Sequence, residues 1–65
     1  MNTCMIEAQS LAGAIWYTGN GFSSERPNAK HYPSFEAANE VIKQGIASGQ
    51  AWEIWLLCDI EPIDD

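Results

Sequence analysis

Two thiols and one imidazole, Cys4, Cys58 and His31, are the side chains in this sequence that suggest nucleophilic or metal chemistry. A Cys–His pair is a familiar nucleophile and base, and the spacing lets either cysteine meet His31. Nothing supplies the third group that would orient such a pair, and His31 stands in a polar stretch between Lys30 and Tyr32. A structural zinc site takes four ligands, more than these residues provide. Two cysteines are also too few for a disulfide framework, so they read as half-buried free thiols, with a Cys4–Cys58 bridge left open. Gly19-Asn20-Gly21 lacks the later glycine, the lysine and the following helix of a phosphate loop, and reads as a turn. The acids of Asp59-Ile60-Glu61-Pro62-Ile63-Asp64-Asp65 lack the alternating ligands and turn glycine of a calcium loop. The expectation is no catalytic residue, no metal, no cofactor, and a protein that is not an enzyme.

Charge points to binding instead. Nine acids against three bases give a net charge of −6 and a pI near 4.3, which opposes contact with DNA or RNA backbones and favours a cationic protein surface. The bases Arg26, Lys30 and Lys43 sit mid-chain, whereas five acids and no base follow from Glu53 onward. Such asymmetry either keeps a small protein soluble or mimics a nucleic-acid backbone in a basic groove. Met1 to Gly13 shows no basic stretch leading into an apolar run, and no segment approaches the ~20 apolar residues of a membrane span, so a soluble cytoplasmic protein is expected.

At 65 residues the expectation is one domain over 1–65, with an acidic tail at 61–65. Hydrophobic residues make up 46% of the chain and seven are aromatic, enough for a compact core. Period-two alternation in Thr3–Gln9 and the β-branched and aromatic run Ala14–Thr18 predict a hairpin. Thr18-Gly19-Asn20-Gly21 predicts a turn with positive φ at one glycine, after which Phe22 folds back on the core. Pro27 suits the first residue of a single helical turn. Ser34 caps a helix whose stripe of Phe35, Ala38, Val41, Ile42, Gly45 and Ile46 faces inward, with Gly49 closing it. The apolar run Ala51–Ile60 reads as a central strand ended by Pro62.

The result is an α+β fold of order β-β-α-β, with a three-stranded, mainly antiparallel sheet and one helix packed on one face. In that register Trp52, Ile54, Leu56 and Cys58 turn toward the helix with Ile6, Ile15 and Tyr17, and Phe35, Tyr32, Val41 and Ile42 complete the core. Met5, Glu7, Trp16, Glu53, Trp55 and Leu57 are left on the open face. The predicted interaction site is an anchor of Trp16, Trp55 and Leu57, rimmed by Glu7, Glu53, Asp59 and Glu61. A register slip of one residue would exchange the faces, and a tail folded over the open face would cover it.

Ile15-Trp16-Tyr17-Thr18-Gly19-Asn20-Gly21-Phe22-Ser23, then Ala29-Lys30-His31-Tyr32 and Ser34-Phe35-Glu36-Ala37-Ala38, resembles a pattern in small, largely uncharacterised phage and prophage proteins. The likeness spans about residues 6–42 and carries a glycine turn, a tyrosine anchor and a capped helix, with no catalytic residue. Small acidic phage proteins of this kind include inhibitors of host defence, anti-CRISPR proteins among them. The resemblance thus implies an inhibitor of a host nucleoprotein complex that blocks a basic nucleic-acid site or a subunit contact. The alternative is a structural or regulatory phage accessory protein that self-associates, as a homodimer for example, or joins a larger assembly.

Overall fold

Alternation in the first segment does produce a strand, β1 (Thr3–Ser10), in the computed structural model, which describes residues 3–63. Its even residues Cys4, Ile6 and Ala8 are buried. The hairpin to β2 (Gly13–Tyr17) closes on Ser10, whose hydroxyl donates to the Gly13 carbonyl at 2.7 Å and accepts from the Ala12 N–H. Gly19 takes the positive φ expected of the next turn, at 103°, and Phe22 returns to the core from a two-residue strand, β3 (Phe22–Ser23).

Past Trp16 the strands β1 and β2 part, and the loop segment Lys30–Tyr32 fills the gap between them. Lys30 N–H donates to the Tyr17 carbonyl at 2.9 Å, while Tyr32 and Cys4 exchange both backbone bonds. That exchange also explains a proline in a strand. Because the N–H and C=O of Cys4 point to Tyr32, its opposite partner Pro62 lies in a non-hydrogen-bonded pair and turns its missing donor to the outer edge.

The first helix, α1 (Phe35–Ser48), begins and ends where its caps require. Ser34 Oγ accepts from the Ala37 N–H at 3.1 Å, Glu36 lies in the first turn, and Gly49 takes the left-handed conformation at φ 76°. Between β3 and α1 a single 3₁₀ turn spans Arg26–Asn28, with Pro27 inside it.

The last third departs from expectation. Trp52–Leu56 is a short helix, α2, and the strand β4 starts only at Cys58 and runs through Pro62 to Ile63. The sheet has four strands in the order β3-β2-β1-β4, antiparallel throughout, so β1 is central and β4 an edge. Glu61 therefore belongs to the sheet instead of a tail, and Asp64 and Asp65 lie outside the described residues. An apolar run bounded by Gly and Pro has no periodicity that separates a buried strand from a helix, and here tertiary packing decides.

That packing centres on Trp55, which is 7% exposed and sits in the core with Ile6, Tyr32 and Ala38. Its ring meets Tyr17 and Phe22 edge-on, with centroids 4.9 and 5.2 Å away. Its other neighbour is Gly45 of α1, where a Cβ would overlap the indole. Coiling 52–56 above the sheet delivers Trp55 to this slot and turns Trp52 and Leu56 outward, at 48% and 55% exposure, so neither joins the core as expected. Phe35 is exposed too, Ile54 is half-buried, and Val41 and Ile42 pack at the core margin.

Replacing a helical glycine by alanine ordinarily stabilises by about 1 kcal/mol. At Gly45 the sign should reverse, with a net loss of about 1–3 kcal/mol as the indole is displaced. Chemical denaturation of Gly45→Ala checks this; a more stable variant would contradict the packing.

Candidate functional site

Antiparallel register fixes which residues share the face away from α1. The pairs Glu7↔Trp16, Glu7↔Asp59, Met5↔Glu61, Thr3↔Ile63 and Trp16↔Ser23 place Glu7, Trp16, Asp59 and Glu61 together there. Four of the seven residues proposed for an interaction site are thus assembled by β1, β2 and β4. The other three are elsewhere. Trp55 is core on the opposite side of the sheet, because helix α2 replaces the strand on which it was placed. Glu53 is exposed on α2, and Leu57 is exposed just beyond that helix's end, neither of them on the sheet.

The face is divided. At one end Met5 is 2% exposed, covered by the loop after β3, so it is not part of an open surface. Arg26, Pro27 and His31 of that loop enclose, with Met5 and Ile63, a pocket of about 360 Å³. Arg26 Nη2 reaches Glu61 Oε1 at 3.4 Å, an exposed contact of little energetic weight that puts one base on the acidic strip. Sequence reasoning missed this ion pair, since 35 positions separate its partners.

At the other end Glu7 and Asp59 face each other across β1 and β4, and Trp16 flanks Glu7 from β2. Like charges directly opposite in a sheet destabilise it. Three buried side-chain polar atoms have no hydrogen-bond partner among the described residues: Thr3 Oγ1, Trp16 Nε1 and Glu61 Oε2. All three belong to this face. An unsatisfied buried polar group costs free energy.

The cysteines are free. Cys58 pairs with Ala8 and Cys4 with Pro62, so the thiols are four ladder positions apart, about 13 Å, which excludes the open Cys4–Cys58 bridge. Burial, with the Asp59 charge beside it, pushes the Cys58 thiol up to about 11, and its Sγ donates to the Ile54 carbonyl. A thiol held protonated is a poor nucleophile. His31 is exposed, and no group of His, Cys, Asp and Glu among the described residues is arranged to hold a metal ion. No helix there is long and apolar enough to cross a membrane.

No protein-family model, curated protein or solved structure matches this chain.

Two outcomes follow from the face and the thiol. Glu7→Gln should stabilise the protein by about 0.2–1 kcal/mol by removing the opposed charge, with the gain shrinking in about 1 M salt; denaturation at both ionic strengths measures it. Because the folded Cys58 pKa is raised above the unfolded value, its contribution to stability is full below about pH 9 and is lost as pH climbs through about 11. Iodoacetamide at pH 8 should accordingly leave native Cys58 largely unmodified, and Cys4 as well because it is buried, and should alkylate both once the chain is denatured.

Proposed function

We propose that this protein is a binding module, not an enzyme, whose acidic sheet face engages a cationic protein surface. The observation that carries the reading is the concentration on one face of the opposed pair Glu7–Asp59, Glu61 and the half-buried Trp16. The opposed carboxylates are a cost to the isolated fold that a basic partner relieves by placing cations between Glu7 and Asp59. Trp16 supplies the amphipathic anchor on which interfaces commonly depend, and the carboxylates supply the rim.

The resemblance to phage and prophage proteins adds the class of partner. On that basis the target is a host defence nucleoprotein complex in the host cytoplasm, inhibited in the manner of anti-CRISPR proteins by occupying its basic nucleic-acid site or a subunit contact. Direct nucleic-acid binding is opposed by the charge of −6. A second reading, a phage accessory protein that self-associates, is favoured by the exposed Leu11, Trp52, Leu56 and Leu57.

Affinity capture at low salt should retrieve a basic protein or nucleoprotein complex with the parent chain. Trp16→Ala should then raise the dissociation rate and cost on the order of 2 kcal/mol of affinity. Neutralising Glu7, Asp59 and Glu61 together should slow association and flatten its salt dependence. A complex retained unchanged by both variants would place the interface elsewhere; a stable oligomer with no basic partner would favour the accessory role.

A further inference from the structure

The edge strand β4 has peptide groups open to a further strand, and the bonds of its neighbour β1 settle which ones. Cys4 turns its N–H and C=O to Tyr32, so Cys4, Ile6 and Ala8 bond away from β4, and their partners Pro62, Ile60 and Cys58 bond away from β1. The outer edge thus offers the N–H and C=O of Cys58, the N–H and C=O of Ile60, and the C=O of Pro62, two donors and three acceptors. β4 pairs with β1 alone, and no turn, loop or cap bond among the described residues takes up any of these groups. Side chains along the edge alternate: Cys58 and Ile60 are half-buried on the helix side, while Asp59 and Glu61 stand on the acidic face.

Such an edge is a template for an added strand, and here charge and proline decide which strand it accepts. A second copy fits badly. Antiparallel pairing of two β4 strands about Ile60 would set Asp59 opposite Glu61 twice, and would offer the Cys58 carbonyl to Pro62, which has no N–H to give. A strand with Lys or Arg opposite Asp59 and Glu61 instead brings each cation within about 5 Å of a carboxylate residue, measured between Cβ atoms. The cation opposite Asp59 ends the row Trp16, Glu7, Asp59, where the like charges now face each other. Any residue other than proline opposite Cys58 supplies the missing donor, and apolar residues at the alternate positions extend the rows that run from Ala8 to Cys58 and from Ile6 to Ile60. We propose that the β4 edge takes up, antiparallel, an extended segment of a partner protein in which basic and apolar residues alternate. The inference rests on the acidic face being the binding surface, and specifies that the cations reach it from an added strand of the same sheet.

The test is titration of an acetylated, amidated heptapeptide of alternating lysine and valine, with lysine at both ends, into the ¹⁵N-labelled full chain. Saturable shifts and slowed hydrogen exchange are expected at the Cys58 and Ile60 amides. In the proposed register the valine N–H groups point at β4 and those of the lysines point away, so methylating the valine nitrogens should weaken binding at least about tenfold, and methylating the lysine backbone nitrogens less than about threefold. Both peptides keep the charge of the parent, which separates strand addition from attraction to the acidic face. Equal binding of the two overturns the inference and leaves the acidic-face reading standing. Sensitivity to lysine methylation alone overturns it as well, because the cations would then lie on the helix side. So does the absence of a saturable shift up to about 10 mM peptide, or protection of both amides in a dimer formed without peptide, which would assign the edge to a second copy.

Discussion

The contact between the Trp55 ring and Gly45 is the constraint on which the rest of the architecture depends. An indole can lie this close to a helix backbone only where no Cβ intervenes, so one glycine on α1 sets the depth of the largest core side chain. To reach that slot the chain must stay in the helical layer through Leu56. It can enter the sheet only at Cys58, which fixes β4 as an edge strand against β1. The register of β4 in turn sets Asp59 opposite Glu7 and Glu61 opposite Met5. A packing decision on one face of the sheet therefore writes the charge pattern on the other.

The two faces divide the work of stability and recognition. The helix side holds the buried Ile6, Tyr32, Ala38 and Trp55, with the half-buried Tyr17 and Phe22 packed against them. The other side carries opposed carboxylates and unsatisfied polar atoms that a sequence selected for stability alone has no reason to keep. The loop that runs from Arg26 to Tyr32 couples the faces: its backbone fills the gap between β1 and β2, its Arg26 pairs with Glu61, and its Tyr32 enters the core.

Much of this was legible in the residues, and the failures have physical causes. The hairpin, the Gly19 turn and both caps of α1 were readable because each depends on local chemistry: alternation, positive φ, a serine oxygen and a terminal glycine. Residues Ala51–Ile60 were misread because an apolar run of that length suits a buried strand and a short helix alike, and Ala51 in a left-handed conformation leaves no sequence signature. Pro62 read as a terminator, yet an edge strand tolerates it where its missing donor faces outward. Glu7, Trp16 and Asp59 were assigned to the correct face, the first two by alternation on a correctly read hairpin, whereas Glu61 was read as part of a tail and reaches that face only because β4 continues through Pro62. Trp55 was assigned to the wrong one, since its face follows from Gly45 and not from its neighbours in sequence.

The depth of Trp55 is best tested by acrylamide quenching of variants that each retain one tryptophan, the other two being changed to phenylalanine. The account predicts that Trp55 emits at the shortest wavelength and resists quenching, with Trp16 intermediate and Trp52 readily quenched. A Trp55 as accessible as Trp52 in a folded variant would contradict the packing on Gly45, and with it the register that builds the acidic face.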